Sequence, residues 1–292
     1  MEMQELNQLP AVERKWKEVI TPKNNIWSLN LHEIWEYRDL LVIWMRRDIL
    51  SIYKQTILGP IWFVLQPILT TITYVFIFSR IAKLSTVGLP PIIFYLSGII
   101  MWSYFAECIT KTATFFKDST PIFSKVYFPR LIIPLSLVLT NLVKFGIQFL
   151  LFIAVYVFYL FTTDSLQPNL YLLLIPVLII LIAGLGLGSG MIISSLTTRY
   201  KDFVHLITFG VQLLMFTSPV FFPVSDLTDS VYKKIILANP MSGIIEAFRY
   251  GFTGTGYFSW NLLAYDAGCM IFLLVAGILI FNMVEKDFVD TI

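Results

Sequence analysis

The residues able to do chemistry are few and scattered. The chain has two histidines, His32 and His205, and two cysteines, Cys108 and Cys269. A zinc site needs several His, Cys or carboxylate ligands at short spacings, and neither histidine has a second ligand so placed. A nucleophile beside a base, or a facing carboxylate pair, would be the other route to catalysis, and no such constellation stands out. The cysteines sit in apolar runs and read as small packing residues. Gly184, Gly186, Gly188 and Gly190 mimic a phosphate loop, yet they lie inside an apolar run with no lysine after them. Spaced four apart, Gly184/Gly188 and Gly186/Gly190 suit a close helix–helix contact instead. The pattern G-x-x-x-x-G-K-[ST] occurs nowhere in the chain, so the sequence offers no P-loop for ATP. The expectation is a non-catalytic protein with no resident metal and no cofactor of its own.

A second group of residues is notable for where it sits. Asn141, Lys144 and Gln148 follow i, i+3, i+7 spacing inside a long apolar run. They therefore share one helical face. Polar groups inside a membrane are costly and commonly mark a pathway or a partner. Two readings stand for this face: it points inward to a subunit or watery path, or Lys144 snorkels to the interface. Glu107 and Asp266 lie nearer the ends of their runs and are expected at the interface.

The elements that must carry these residues follow from composition. Of 292 residues, 57% are hydrophobic and 14% charged, with mean hydropathy +0.76. Soluble domains carry about 25% charged residues, so a soluble globular enzyme is excluded. Disorder is excluded because disordered chains lack apolar and aromatic residues. A net charge of +2 is too small to suggest nucleic acid as a partner. The remaining class is an all-α polytopic membrane protein.

Six transmembrane helices are expected, at about 57–79, 91–110, 131–161, 170–196, 203–222 and 261–284. They form one transmembrane domain, 57–292, behind a cytoplasmic arm and amphipathic helix, 1–56. In that helix Leu31, Ile34, Trp35, Leu41, Val42 and Met45 recur at helical spacing among charged residues. It reads as an interface helix or as a helix packed on a partner. Pro67 is expected to kink the first span. With both termini cytoplasmic, 15 of the 21 Lys and Arg residues fall inside and five outside, with Lys144 within a span. That bias follows the positive-inside rule. Between spans 5 and 6, residues 223–260 are apolar but too broken to cross. Asn239-Pro240 splits two short helical stretches there, read either as an outer re-entrant hairpin or as an ordinary outer loop with a surface helix.

Aromatic residues make up 16% of the chain. Interfacial belts explain Trp and Tyr near span ends. Sugar rings also stack on aromatic faces, and Trp102 falls mid-span, where a belt does not account for it. Trp62, Trp102, Asn141, Lys144 and Gln148 are the candidates for lining a channel.

Several runs together resemble the permeases of ABC-2 type polysaccharide exporters. They are Tyr37–Asp48 (YRDLLVIWMRRD), Tyr53–Trp62 (YKQTILGPIW) with Gln66-Pro67, and Phe123–Arg130 (FSKVYFPR) with Pro134. Further along come Arg199-Tyr-Lys-Asp202, Ser218-Pro-Val220, and Asn239-Pro240 followed by Glu246 and Arg249. The likeness runs in order from about residue 30 to 284. One departure is Lys201, where the family commonly has Arg; the charge is kept but not the guanidinium fork. The resemblance implies a homodimer in the bacterial cytoplasmic membrane, paired with two copies of a separate ATPase that holds ATP and Mg. It implies export of an undecaprenyl diphosphate-linked glycan such as O-antigen, capsule or wall teichoic acid.

The resemblance also assigns residues. Arg46, Arg47 and Lys54 would meet the lipid diphosphate at its entry, a role that bidentate Arg donors suit; plain positive-inside anchoring explains them equally. Lys117, Phe123, Lys125, Val126, Tyr127, Phe128 and Arg130 would couple to the ATPase. Pro219, Asn239, Pro240, Glu246 and Arg249 would form the outer gate. Two other functions fit less well: export of a drug or small lipid, and a membrane-embedded glycan-modifying enzyme, which would need a His or carboxylate cluster.

Overall fold

The computed structural model describes residues 31–54, 58–123, 128–129, 131–200, 202–227 and 231–289. The polar arm before residue 27 lies outside them. Among the described residues there are ten α-helices and no strand. Short α1 (Leu31–Glu36) leads into α2 (Arg38–Lys54), and α3 (Ile61–Tyr74) runs on into a π-helical stretch, Val75–Ile81. Next come α4 (Pro91–Phe123), α5 (Ile132–Thr162), α6 (Ile175–Arg199) and α7 (Phe203–Phe216). Two short helices, α8 (Val231–Ala238) and α9 (Met241–Thr253), precede α10 (Trp260–Val289).

Among the described residues, five helical segments are long and apolar enough to cross a membrane, against the six expected: Ile61–Ile81, Pro91–Phe115, Ile132–Thr162, Leu170–Thr197 and Trp260–Val284. The fifth apolar run, expected over 203–222, is helical only as far as Phe216. At about 1.5 Å per residue its 14 residues reach about 21 Å, short of the hydrocarbon thickness of about 30 Å. The stop is written in Thr217-Ser218-Pro219. Both hydroxyls turn back onto backbone carbonyls, Thr217 onto Leu214 and Ser218 onto Met215, competing with helix continuation. Pro219 then disfavours helical backbone at Ser218.

The bundle is organised around α4. In its most apolar window 78% is buried, against 11–33% for the other four crossing segments. It is also 33 residues long, about 50 Å at helical rise, so it extends well beyond the apolar layer.

The glycine run of α6 is what lets three helices approach closely. Side chains added at Gly186 and Gly190 would meet Cys108 and Thr112 of α4. Added at Gly184 and Gly188, they would meet Met270, Leu273 and Leu274 of α10. Two interleaved four-residue spacings thus serve two neighbours on opposite sides of one helix.

A second apolar cluster joins α2 to the far end of the bundle. Trp44 packs there with Phe115, Phe128, Ile133, Met191 and Phe281. Helix α2 is therefore attached to the bundle through an apolar stripe, while Val42, Ile43, Arg46 and Arg47 stay exposed.

At the opposite end, α9 is buried on every side, from Met241 to Thr253 except at Tyr250. Its last carbonyls are met by the segment after α5: Gln167 N–H donates to Thr253 and Asn169 N–H to Gly251. Asn169 Nδ2 also donates to Tyr250 O at 2.9 Å. Gly254 closes the helix with φ +69°, and a Cβ there would sit 2.8 Å from Gln167 O. Left-handed backbone costs an L-residue about 1–2 kcal/mol. Gly254→Ala is therefore expected to destabilise the protein by at least that much, read as a lower unfolding temperature in detergent.

Candidate functional site

Three places gather the polar side chains. At the α2 end, the Arg47 guanidinium stacks 3.8 Å over the Trp44 ring and donates to Asp48 Oδ1 at 2.7 and 3.0 Å. Its fork is thus occupied along its own helix. Arg46 and Lys54 are exposed.

The second place is a cavity of about 430 Å³ between α2, α3, α4 and α5. Lys144 and Glu107 form an ion pair on its wall, and the Lys144 ammonium also lies 5.2 Å from the Phe63 ring centroid. Lys111 and Asn141 line the same cavity. Glu107 sits in the middle of the unbroken α4 and faces α5. The side chain of Lys144 is 19% exposed, held between a carboxylate and an aromatic face rather than extended to the surface. Gln148, one helical turn further on, is buried.

The third place surrounds α9. Arg249, 2% exposed, stacks 3.8 Å over Phe94. It donates to the carbonyls of Pro219, of Val220 at 3.2 Å and of Phe94 at 3.1 Å, and to Ser97 Oγ at 3.2 Å. Its fifth partner is Glu246 Oε1 at 3.2 Å, while Glu246 Oε2 accepts from Tyr257 N–H at 3.2 Å. Only a guanidinium has enough donors in fixed geometry to serve so many acceptors. One pair of side chains thus ties α9 to the start of α4, to the unwound stretch after α7 and to the segment before α10. Burial pushes the Glu246 carboxyl up, opposed by Arg249 and by the Tyr257 and Val224 amides. Burial likewise lowers the Arg249 guanidinium, opposed by Glu246. Asn239 adds a second tie. Its Oδ1 accepts from Met241 N–H at 3.0 Å, opening α9, and its Nδ2 donates to Thr217 O at 3.3 Å. Pro219, Asn239, Pro240, Glu246 and Arg249 therefore fall in one cluster.

Residues 39–253 match the ABC-2 type transporter family. This chain belongs to that family. Among curated relatives, the O-antigen export system permease protein RfbA of Klebsiella pneumoniae is 29% identical over 253 residues, covering 86% of this chain and 94% of the relative. A second Klebsiella pneumoniae protein of that name is 28% identical over 254 residues, with the same coverage. The RfbA of Myxococcus xanthus is 25% identical over 263 residues, covering 90% of this chain and 98% of the relative.

Seen as an ABC-2 protein, the chain distributes its expected site residues unevenly. Lys117 and Phe123 fall on the last turns of α4, and Phe128 is buried against Trp44 at 6.2 Å between ring centroids. Phe128 thus packs between α2 and the bundle. Lys125, Val126, Tyr127 and Arg130 lie outside the described residues. Trp102 is a core residue, 4% exposed and stacked edgewise on Phe105 at 5.3 Å, so it faces no open channel within one protomer. Trp62 is 46% exposed.

Two features escaped the sequence. The Glu107–Lys144 pair joins residues 37 apart, with no local spacing to announce it. Asp266 of α10 is fully buried, and its carboxyl oxygens have no hydrogen-bond partner among the described residues. A Cβ at Gly243 of α9 would collide with that carboxyl, so the glycine is what admits it. Among the described residues no group of three or more His, Cys, Asp or Glu could hold a metal ion.

Proposed function

We propose that this chain is the membrane subunit of an ATP-driven exporter of an O-antigen-type glycan carried on undecaprenyl diphosphate, in the bacterial cytoplasmic membrane. The observation that carries the reading is the end-to-end likeness to O-antigen export permeases, which spans 94–98% of those relatives. ATP would be hydrolysed by a separate subunit holding Mg, since this sequence has no P-loop.

In this reading two copies of the chain pair to enclose the conduit, because six crossing segments enclose too little space for a polysaccharide. Two ATPase copies dock where α4 ends, around Lys117–Arg130, and their closure drives the protomers together and apart. The long projection of α4 supports this: a rigid rod reaching past the apolar layer can carry motion to the crossing helices. The α8–α9 pair dips into the membrane from the outer side without crossing, and its buried polar hub supports such a placement, since broken helices at membrane depth need protein cover. Helix α7 and the unwound stretch after it complete the sixth crossing, which returns the C-terminus to the cytoplasm. Exposed Arg46 and Lys54 on α2 meet the lipid as it approaches.

The test is coupling. In membranes holding this chain and its ATPase, Lys125→Ala is expected to leave the folded chain at wild-type abundance while glycan export falls at least tenfold. Wild-type export by that variant would remove Lys125 from the coupling surface.

A further inference from the structure

The cavity between α2, α3, α4 and α5 has a chemistry that its ion pair alone does not use. Lys144 carries three N–H donors, and among the described residues Glu107 is the one hydrogen-bond acceptor it meets. Asn141 Nδ2 is buried and turned toward the Cys108 thiol, a weak acceptor. Thr110 and Thr140 give their hydroxyl protons to the helix backbone. The unspent donors are therefore those of two ammonium groups, on Lys144 and exposed Lys111. Two cations against one carboxylate leave the wall with a formal net charge of +1.

The rest of the lining is apolar, from Ile49 of α2, Phe63 of α3, and Val143 and Ile147 of α5. Val143 is 41% exposed, so the apolar side opens outward between helices rather than ending in core. A cationic, donor-rich wall beside an apolar exit suits a molecule with an anionic head and a hydrocarbon tail. The volume lies within the range of about 300–1,000 Å³ usual for ligand pockets. The Glu107 carboxylate and the Phe63 ring hold Lys144 in place before any ligand arrives, which lowers the cost of ordering it.

We propose that this cavity binds the phosphate headgroup of a lipid, with Lys144 and Lys111 on the phosphate and the hydrocarbon chain leaving past Val143 and Ile147. The anion site stands on its own chemistry; only its occupation by the carrier lipid rests on the export reading.

The test uses the full chain in nanodiscs of phosphatidylcholine, with undecaprenyl diphosphate, phosphatidylglycerol or inorganic phosphate added and binding read by native mass spectrometry. Lys144→Gln is expected to weaken lipid binding at least tenfold, and Lys111→Gln to weaken it less. Should Lys144→Gln fail to fold, the paired variant Glu107→Gln with Lys144→Gln removes both charges together and keeps the test open. Glu107→Gln alone raises the formal net charge of the wall from +1 to +2 while keeping an oxygen beside Lys144, and is expected to tighten binding. Undecaprenyl diphosphate bound through Lys144 assigns the site to the carrier; phosphatidylglycerol bound the same way assigns it to a membrane lipid and leaves the export reading to its own assay. Unchanged lipid binding in the doubly substituted Lys111→Gln, Lys144→Gln protein, or equal binding of inorganic phosphate, would overturn the proposal.

Discussion

Replacing Arg249 by alanine is expected to cost about 3–5 kcal/mol, the loss seen when one partner of a buried ion pair is removed. Here the loss has three parts. Glu246, 1% exposed, is left as an uncompensated buried carboxylate. The carbonyls of Phe94, Pro219 and Val220 lose a donor in a place water does not reach, and unsatisfied buried polar groups each cost about 1–3 kcal/mol. The Phe94 ring loses the cation stacked on it. Arg249→Lys keeps a charge but not the five-donor fork, so it should fall between wild type and alanine. Because Arg249 joins α9 to α4 and to the stretch after α7, the expected signature goes beyond a lower unfolding temperature. Proteolysis should open the 217–227 and 254–259 segments first. Loss of export with unchanged stability would instead mark Arg249 as a transport residue.

The second large effect is expected at the α6–α10 seam. A Cβ on Gly188 would lie 2.6 Å from the backbone of Leu273 and Leu274, and one on Gly277 would lie 2.6 Å from Gly188 O. Backbone cannot rotate away, so the helices must separate. Overpacking of this kind costs about 1–3 kcal/mol and occasionally more, so Gly188→Ala should fall in that range and Gly188→Leu beyond it. Gly184 offers the contrast. Its nearest neighbours are the Cγ and Sδ of Met270, which can swing aside, so Gly184→Ala should cost much less. Gly146 and Gly268 are helical with nothing within 4 Å. Alanine there should be neutral or stabilising, since glycine within a helix is worse by up to about 1 kcal/mol. Unfolding midpoints in one detergent should thus rank Gly268→Ala highest, then Gly184→Ala, then Gly188→Ala, then Gly188→Leu.

What the sequence disclosed, and what it withheld, follows from the range of the interactions. Apolar runs and glycine spacing are local, and they point to the crossing helices and the α6 seam. The Asn239-Pro240 break is local too, and it falls where α8 ends and α9 begins. The short α7 was legible in Thr217-Ser218-Pro219, but an apolar run counted only by length hides such a stop. Interactions between distant residues left no such trace. Arg249 entered the charge count as an outer-loop cation, yet a buried arginine with five acceptors says nothing about loop topology. Trp102 looked free for a substrate because it lies mid-span; only the packing of Phe105 and its neighbours puts it in the core. The packing of Phe128 against Trp44 of α2 likewise joins residues far apart in the chain. Glu107 and Lys144 become partners only when α4 and α5 lie side by side.

The central claim is that this chain moves a lipid-linked glycan across the membrane on energy supplied by another subunit. Proteoliposomes holding the chain and its ATPase, loaded on the ATPase side with labelled undecaprenyl diphosphate-linked O-antigen, test it most directly. The account predicts that label becomes accessible on the opposite side only with hydrolysable ATP, and that omitting either subunit abolishes it. A folded, ATP-hydrolysing complex that leaves the glycan on its original side, or one that moves it equally well without ATP, would contradict the account.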